Sequence, residues 1–369
     1  MERVTFGDYA SQHLVKKAAS GKFNPRWVDL CYLHLKRATE CFGAGKPLQE
    51  IGVPDVQRWV RQLETLESNR LDKSVEEDEH GERPRTRLTG STIRMHLNAL
   101  SNLFRRAQSE HVVAVGYNPV AALMDKPTAE RGEARWLEVP DASLYLEAAR
   151  LVPAPRSDLG PAFVYPLVAT FLLTGGRRAE VMGLEVDDLS FDHRTVRFRK
   201  NLSRRRLKTR TSQRTVPMFP QLEEILRAYV FNPDRPPTRL LFPRFTTGGE
   251  AMVTDFRKML QRVSILAGWE PGAITSKMFR HTYCSARLAT LDYGAPISPD
   301  TVSREMGHSS RDLVEQVCGH LGTIRHRAEM VEYRVEQHRA VLGDCLEAMY
   351  RRAERPSGTV SDTAASIAT

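Results

Sequence analysis

The stretch Thr174-Gly175-Gly176-Arg177-Arg178-Ala179-Glu180-Val181 follows an apolar run, Ala162 to Leu173, that predicts a helix. Two adjacent glycines let the backbone turn sharply, so we expect Arg177 to emerge at the start of a new helix. There a guanidinium group and free backbone N–H groups can meet the same anion. Glu180 shares the helical face of Arg177. Such a pair alone is typical of a surface ion pair, so its meaning depends on the rest of the chain.

Basic residues are concentrated on the C-terminal side of this stretch, where nine of them fall within 18 positions. They are Arg197, Arg199, Lys200, Arg204, Arg205, Arg206, Lys208, Arg210 and Arg214. These cations would repel one another unless an anion lies alongside, and phosphate contact is the natural interpretation. We therefore take Arg204, Arg205, Arg206 and Arg210 as candidate DNA contacts.

Further motifs follow in order along the chain. They are Lys208 before Arg214-Thr215-Val216-Pro217, then Lys277-Met278-Phe279-Arg280-His281-Thr282, Gly307-His308-Ser309-Ser310 and Cys318-Gly319-His320-Leu321. Together with Thr174 to Glu180, these motifs resemble the tyrosine recombinase (phage integrase) family of site-specific DNA recombinases. The resemblance covers nearly the whole chain.

Two positions depart from the family's pattern. The family's second conserved motif, which here is Lys277 to Thr282, begins with histidine in most members, and Lys277 takes that place here. The family's nucleophilic tyrosine often precedes Gly-His-Leu, and Cys318 stands at that position. The second departure concerns the residue that attacks DNA in the family.

The resemblance assigns catalytic roles to the shared residues. Breaking a phosphodiester without a metal needs a nucleophile, positive charge on the non-bridging oxygens, and a proton for the leaving 5′ oxygen. Arg177 and Arg280 suit the second role because guanidinium groups bind phosphate oxygens bidentately. Lys208 suits the third, since two neighbouring arginines would make its ammonium group more acidic.

Three other residues complete the predicted site. Lys277 would donate to the phosphate where relatives use histidine. His308 follows a glycine at a predicted helix end and would hydrogen-bond the same phosphate. Glu180 would support the site by orienting Arg177 or the region of His308. Taken singly, each is also compatible with an ordinary surface charge, and only their joint order and spacing favour an active site.

Three interpretations of Cys318 are open. In the first, Cys318 is an engineered or natural substitution of the nucleophile, an inert cysteine, and the chain binds DNA without completing strand exchange. In the second, cationic neighbours help to form a thiolate that attacks DNA, although its side chain reaches less far than a tyrosine. In the third, Tyr333 is the nucleophile, in the middle of a predicted helix. We favour the first.

Composition agrees with a basic, two-domain protein. The chain has 369 residues, 41% of them hydrophobic, a net charge of +9 and a pI near 9.4. Such a charge points to nucleic acid as the first candidate partner, although a solvated basic surface is also common.

Cysteine usage and apolar runs indicate the compartment. The five cysteines form no CxxC pair and are odd in number, which fits a reducing cytosol. The charged N-terminus does not resemble a signal peptide, and Phe163 to Leu173 is too short for a membrane span. Cys318, His320 and His326 match no common zinc pattern, so we expect neither a metal nor a cofactor. These features predict a cytoplasmic, nucleoid-associated protein without membrane contact.

The predicted fold is mostly α with a small β-sheet. The resemblance implies that residues 1–126 form a helical core-binding (SAM-like) domain, 127–135 a linker, 136–350 an α+β catalytic domain and 351–369 a flexible tail. On the pattern alone, the first of these is a four- or five-helix bundle. Apolar periodicity predicts helices around Trp27 to Cys41, Val53 to Leu66 and Ser91 to Gln108. The basic and polar residues of the last helix fall mostly off its apolar face; they are Arg94, His96, Asn98, Arg105 and Arg106, and the three arginines are candidate DNA contacts.

The remaining segments are predicted from local signals. The acidic run Glu76 to Glu79 lies in a charged stretch, Asp72 to Arg87, that we interpret as a mobile surface loop. Strands are expected within Leu184 to Phe198 and Thr215 to Met218. Helices are expected at Phe279 to Leu291, from Pro299 to Gly307, and from Thr323 to Tyr350. The last would carry an apolar stripe of Val331, Val335, His338, Leu342 and Leu346.

The resemblance implies a recombinase that cuts and rejoins double-stranded DNA by transesterification. The reaction would pass through a covalent 3′-phosphoprotein intermediate and need no ATP or metal. Four protomers act on paired sites in relatives, and accessory DNA-bending proteins are compatible partners. Two alternatives are a degenerate recombinase that only occupies its sites, and a type IB topoisomerase, which shares the chemistry and a Lys-x-x-Arg box. The helical N-terminal half and Gly-His-Ser-Ser favour the recombinase over the topoisomerase.

Overall fold

The computed structural model describes residues 3–23, 25–71, 84–129, 134–153, 163–201, 212–235, 237–243, 256–292, 294–308, 314 and 328–354. The chain divides into two compact units, Met1–Gly132 and Glu133–Thr369. As predicted, the described part is mostly helical and its sheets are small and antiparallel. Within these ranges, no helix combines the length and the apolar character that a membrane crossing requires.

The first unit contains the helices α1 (Phe6–Ala19), α2 (Pro25–Phe42), α3 (Val53–Thr65) and α4 (Gly90–Ser109). Helix α4 begins where expected, because the Thr89 hydroxyl accepts a hydrogen bond from the backbone N–H of Thr92. Apolar residues of α4, among them Leu97 and Phe104, join Trp59 of α3 in one buried cluster. The periodicity of α4 therefore marks its core-facing side.

Two expectations for the first unit are wrong. His96 does not lie off the apolar face, since it is only 1% exposed and hydrogen-bonds inside the unit to His34. The charged stretch from residue 72 to 87 is not entirely loop, since β2 (Arg85–Arg87) pairs with β1 (Glu67–Leu71). The strand pairing is satisfied by a partner that precedes the charged run. Glu76 to Glu79 lies outside the described residues.

The described part of the second unit contains helices α5 to α12 and two small sheets. The helices are α5 (Val139–Leu151), α6 (Val164–Thr174), α7 (Arg178–Val181), α8 (Pro220–Val230), α9 (Arg257–Ala267), α10 (Ser276–Leu288), α11 (Pro299–Met306) and α12 (Arg339–Glu354). Strands β3 (Leu189–Ser190), β4 (Thr195–Phe198) and β5 (Arg214–Pro217) form one sheet in that order, and β6 (Leu291–Asp292) pairs with β7 (Ala295–Pro296). Val196 of β4 opposes Val216 of β5, and both side chains are buried.

Helix α6 lies in the core of the second unit, where nearly all of its residues are buried. A helix that is apolar all round needs such a position. Helices α5, α8 and α10 pack around it. The end of α6 therefore brings the Gly175-Gly176 turn to the middle of the unit.

Local signals set the ends of two neighbouring helices. Helix α11 runs as predicted, with the Ser298 hydroxyl capping its start and Gly307, in a left-handed conformation, ending it. Helix α10 begins three residues earlier than expected, at Ser276, because the Thr275 hydroxyl accepts from the N–H of Met278. Lys277 and Arg280 consequently share the first turns of one helix.

The long final helix predicted from Thr323 to Tyr350 is wrong over residues 328–338, and residues 323–327 lie outside the described residues. Helix α12 begins only at Arg339, after a short 3-10 turn at Val335–His338. Before it the chain is irregular, and the Tyr333 N–H donates to the Gln221 side chain at 2.8 Å instead of to a helical carbonyl. Buried Val331, Tyr333 and Val335 alternate with charged residues, which is the period of extended chain and not of a helix.

Candidate active site

Arg177 stands at the start of α7, as predicted. Helix α6 ends at Gly175, whose φ of 60° is left-handed, and a Cβ there would lie 2.4 Å from Cδ1 of Tyr283. Glycine is therefore required at this turn for both backbone conformation and space. The turn delivers Arg177 as the residue that caps α7, with its side chain partly exposed.

Glu180 is the buried carboxylate of the site, with 3% exposure. Its Oε1 accepts from Nη1 of Arg177 at 2.8 Å, and its Oε2 accepts from the Arg177 backbone N–H at 2.9 Å. Nη2 of Arg214 donates to the same Oε2 at 2.8 Å. Burial alone would raise the pKa of Glu180, but the bonds and charges of Arg214 and Arg177 outweigh it and lower the pKa to about 2. Glu180 is thus ionised across the physiological range.

Arg280 reaches the same place from α10. Its Nη1 donates to the Gly175 carbonyl oxygen at 2.5 Å, and its Nη2 donates to the Met306 carbonyl oxygen and to Nε2 of His308. Burial, followed by the charges of Arg177 and Arg214, lowers the pKa of Arg280 to about 9. Three guanidinium groups therefore lie in one cluster with the buried carboxylate of Glu180, which accepts hydrogen bonds from Arg177 and Arg214, and the cluster carries a net positive charge.

His308 follows the left-handed Gly307 at the end of α11. An arginine can only donate, so Nε2 of His308 must accept from Arg280 and the ring proton of the neutral form lies on Nδ1. Burial and then the charges of Arg280 and Arg177 lower the pKa of His308 to about 4, so the ring is neutral near pH 7. Its buried Nδ1 has no hydrogen-bond partner within the described ranges.

Lys277 lies one helical turn before Arg280 on α10, and it is exposed. Residues three apart on a helix lie on the same face, so Lys277 borders the cluster, and within the described ranges it makes no hydrogen bond or ion pair with it. The structure therefore brings together Arg177, Glu180, Arg280 and His308, and places Lys277 beside them. Lys208 and Cys318 lie outside the described residues.

Tyr333, the alternative nucleophile, is enclosed in the core of the second unit. It is 1% exposed, and burial raises the pKa of its phenol. Its hydroxyl oxygen has no hydrogen-bond partner in the described part of the chain. Ionisation, which a nucleophile needs, is disfavoured in such surroundings.

The sequence-based site did not include Arg214. Its side chain is 5% exposed, pairs with Glu180, and lies with its guanidinium carbon 4.5 Å from the centre of the Phe198 ring. In the sequence, Arg214 was only one cation of a basic run. Its position at the start of a strand whose partner carries Phe198 was the one available signal that it faces inward.

The candidate DNA contacts of α4 differ in their surroundings. Nε of Arg94 donates to the Pro127 carbonyl oxygen at 2.6 Å, and Nε of Arg106 donates to Glu110 at 2.8 Å. Arg105 is exposed and pairs with no carboxylate in the described ranges. Arg204, Arg205, Arg206 and Arg210 lie outside those ranges. In the same part of the chain, no group of three or more His, Cys, Asp or Glu side chains is arranged to hold a metal ion.

Comparisons with known proteins find similarity to tyrosine recombinases and integrases in sequence and in fold. The sequence model of the Phage integrase family matches residues 147–318. Tyrosine recombinase XerD from Brucella suis biovar 1 (strain 1330) is 25% identical over 219 residues, which cover 58% of this chain and 66% of that protein. The matched part thus spans just under two thirds of that relative.

Solved structures show the same fold at low identity. A Tn1549 transposon integrase in complex with a circular intermediate DNA aligns with a TM-score of 0.61 and 18% identity, over 86% of this chain and 96% of its own. A lambda integrase tetramer bound to a Holliday junction aligns with a TM-score of 0.58 and 16% identity, over 90% of this chain and 81% of the integrase chain. The family match over residues 147–318, the XerD relative and the shared fold all show similarity of this chain to the tyrosine recombinase (phage integrase) family.

Proposed function

We propose that this protein is a site-specific DNA strand transferase whose cluster around Arg177, Arg280 and His308 binds the scissile phosphate. The observation that carries the proposal is the convergence of these three side chains at the end of α11, where Arg177 and Arg280 donate to neighbouring carbonyl oxygens and Arg280 also donates to His308. A phosphodiester gains negative charge as it is attacked, and preorganised guanidinium groups stabilise that charge.

The hydrogen bonds within the cluster leave donors for a phosphate. A guanidinium group has five N–H donors. Arg177 uses one on Glu180 and one on the Gly307 carbonyl oxygen. Arg280 uses three of its donors, two on carbonyl oxygens and one on His308. Each arginine therefore retains N–H groups with no protein acceptor in the described ranges, and these would bind the non-bridging oxygens.

Lys277 and Lys208 complete the proposed chemistry. Lys277 is exposed one turn from Arg280 and would donate to the phosphate from its open side. Lys208 belongs to the segment that joins β4 and β5, and would protonate the leaving 5′ oxygen. The attack itself would form a covalent 3′-phosphoprotein link that keeps the energy of the broken bond for rejoining.

Cys318 at the nucleophile position makes the chain cleavage-deficient as given, in this proposal. A thiolate there would reach less far than a phenolate. Tyr333 is a poor substitute, because its hydroxyl is enclosed and its ionisation disfavoured. The second candidate function is therefore a degenerate recombinase that occupies DNA sites without cutting them, and Cys318 is the specific observation that favours it.

Double-stranded DNA is the proposed partner, and self-association on paired sites the proposed assembly. Solved relatives of the same fold are described as a lambda integrase dimer on a core site and a tetramer on a Holliday junction. The net charge of +9 supports binding to DNA. A cytoplasmic, nucleoid-associated location follows from this proposal.

The test begins by selecting binding sites from random duplex DNA with the full chain. Nicked suicide substrates built on the selected site are then incubated with the chain as given, with Cys318→Tyr and with Cys318→Tyr/Tyr333→Phe. We expect a covalent DNA adduct in both variants that carry the Cys318→Tyr substitution, and none in the unaltered chain. Peptide mass spectrometry locates the adduct.

Three outcomes decide between the interpretations. An adduct on Tyr333 of the unaltered chain contradicts our choice of nucleophile position. An adduct on the Cys318 sulfur establishes the thiolate mechanism instead. Site-specific binding with no adduct in any variant supports the degenerate, site-occupying protein and refutes the strand transferase.

A further inference from the structure

Each guanidinium nitrogen of Arg214 donates to a protein atom. Nη2 binds Glu180, Nη1 donates to the Ser212 carbonyl oxygen at 3.1 Å, and Nε donates to the Glu305 carbonyl oxygen. The side chain is 5% exposed, and Phe198 covers one face of the guanidinium group. A side chain enclosed in this way has no open face for a DNA phosphate.

The contacts of Arg214 join three separate pieces of the second unit. Arg214 itself starts β5, Glu180 belongs to α7, and Glu305 belongs to the last turn of α11. Glu180 is also the carboxylate that holds the side chain and the backbone N–H of Arg177. The position of Arg177 is thereby linked to β5 through a shared carboxylate.

The end of α11 receives three arginines on three consecutive carbonyl oxygens. The Glu305 oxygen accepts from Arg214, the Met306 oxygen from Arg280, and the Gly307 oxygen from Nη2 of Arg177 at 2.9 Å. The last carbonyls of a helix lack intrahelical partners and carry partial negative charge, so guanidinium groups suit them well. Two of the three arginines are candidates for binding phosphate, and the third, Arg214, is enclosed by protein atoms.

We propose that Arg214 is a positioning residue, which binds no DNA but holds Glu180, and through it Arg177, in register with the end of α11. The inference deepens the proposed function, since Arg177 has a substrate to meet only if that function holds. A guanidinium group is needed because a single planar fork reaches a carboxylate and two carbonyl oxygens at once. Lysine keeps the charge but not this geometry.

The test measures how freely Arg177 moves, in the full chain and without DNA. Phenylglyoxal modifies accessible guanidinium groups, and peptide mass spectrometry compares modification at Arg177 with that at the adjacent Arg178 as internal reference. We expect a several-fold faster reaction of Arg177 in Arg214→Met than in the unaltered chain, with Arg214→Lys in between. Glu180→Ala, which removes the direct partner of Arg177, is the positive control. Labelling is performed at a temperature far below the thermal unfolding midpoint of each variant.

Arg199→Met is the matched control for a purely structural role. Arg199 also pairs with two carboxylates, Asp188 and Glu185, and within the described ranges it has no hydrogen bond to Glu180 or α11. Its replacement should lower stability while leaving the labelling of Arg177 unchanged. If Arg214→Met labels Arg177 at the rate of the unaltered chain while Glu180→Ala labels it faster, the proposal is overturned.

Cleavage in the Cys318→Tyr background separates this inference from the proposed function. There, Arg214→Met should slow cleavage strongly when Arg177 is present and add little to the loss in Arg177→Ala, because it acts through Arg177. Equal further losses in both backgrounds would contradict that dependence. If the Cys318→Tyr parent does not cleave at all, the proposed function fails, and the labelling result still decides whether Arg214 positions Arg177.

Discussion

The guanidinium group of Arg280 donates to Nε2 of His308 at 2.8 Å, although 28 positions separate the two residues in sequence. The contact fixes the tautomer of His308, since an arginine cannot accept, and it holds Arg280 against the end of α11. The same hydrogen bond is therefore consistent with a neutral His308 ring that accepts and a charged Arg280 that donates.

We expect Arg280→Ala, in the Cys318→Tyr background, to abolish most cleavage and spare most DNA binding. Losing one donor to the charge of a transition state costs on the order of 100- to 1000-fold in rate. Single-turnover cleavage of the nicked substrate gives the rate, and a gel-shift titration gives the affinity. Arg177→Ala should behave alike.

Arg227→Ala is the matched control for this experiment, because Arg227 is a half-exposed arginine paired with Glu223 on α8. Its cleavage rate should equal that of the parent. Near-normal cleavage by Arg280→Ala would show that the motif Lys277 to Thr282 does not belong to the active site.

Gly175→Ala should destabilise the second unit through two separate effects. Its φ of 60° is unfavourable for alanine, and the new Cβ would lie 2.4 Å from the Tyr283 ring. Gly21→Ala shares the first effect, at a φ of 62°, but meets no atom within 4 Å. We expect Gly21→Ala to cost about 1 kcal/mol and Gly175→Ala roughly 1–3 kcal/mol more, measured by urea unfolding. Equal losses would mean that the turn has room to shift.

The buried histidine pair makes the first unit sensitive to acid. Nε2 of His96 lies 3.3 Å from Nη1 of Arg37, so it accepts, and the proton on Nδ1 of His96 faces Nδ1 of His34 at 3.0 Å. Burial, then the charges of His34 and Arg37, lowers the pKa of His96 to about 3. An unfolded chain binds this proton near pH 6.5 and the folded chain does not. Stability is therefore complete above that pH and is lost as pH falls from about 6.5 toward 3.

For His96 this loss amounts to roughly 3 kcal/mol between pH 7 and pH 4. Urea unfolding across that range should show a smaller dependence on pH in His96→Gln. The exposed His111 serves as control, and His111→Asn should keep the full dependence. An unchanged slope in His96→Gln would show that this ring is charged in the folded state or that the pair opens before unfolding.

Salt dependence tests the basic segment between β4 and β5. Neutralising Arg204, Arg205 and Arg206 together should lower the slope of log K against log salt by up to about 3, since each phosphate contact releases about one counterion. Fluorescence anisotropy with a labelled duplex measures the slope. A slope equal to that of the unaltered chain would show that these residues do not contact phosphate.

Sequence alone determined the features that depend on neighbouring residues. Thr89, Thr275 and Ser298 accept bonds from backbone N–H groups within three positions, so the starts of α4, α10 and α11 are encoded locally. The Thr275 cap is as local as the other two, although the predicted start of α10 at Phe279 did not use it. Gly175 and Gly307 likewise end their helices by their own freedom to adopt positive φ, which places Arg177 and His308 just beyond a helix end.

Tertiary structure alone decided what depends on distant partners. His96 is buried because His34 supplies a hydrogen bond across 62 positions, and Arg214 turns inward because Glu180 and the end of α11 bind it there. Residues 331–334 lie in irregular, non-helical chain because Gln221 binds the backbone of Tyr333 and the core accepts the side chains of Val331 and Tyr333. In each case the free energy of burial and pairing depends on groups that come together only in the folded chain. The local periodicity of the sequence does not predict these distant partners.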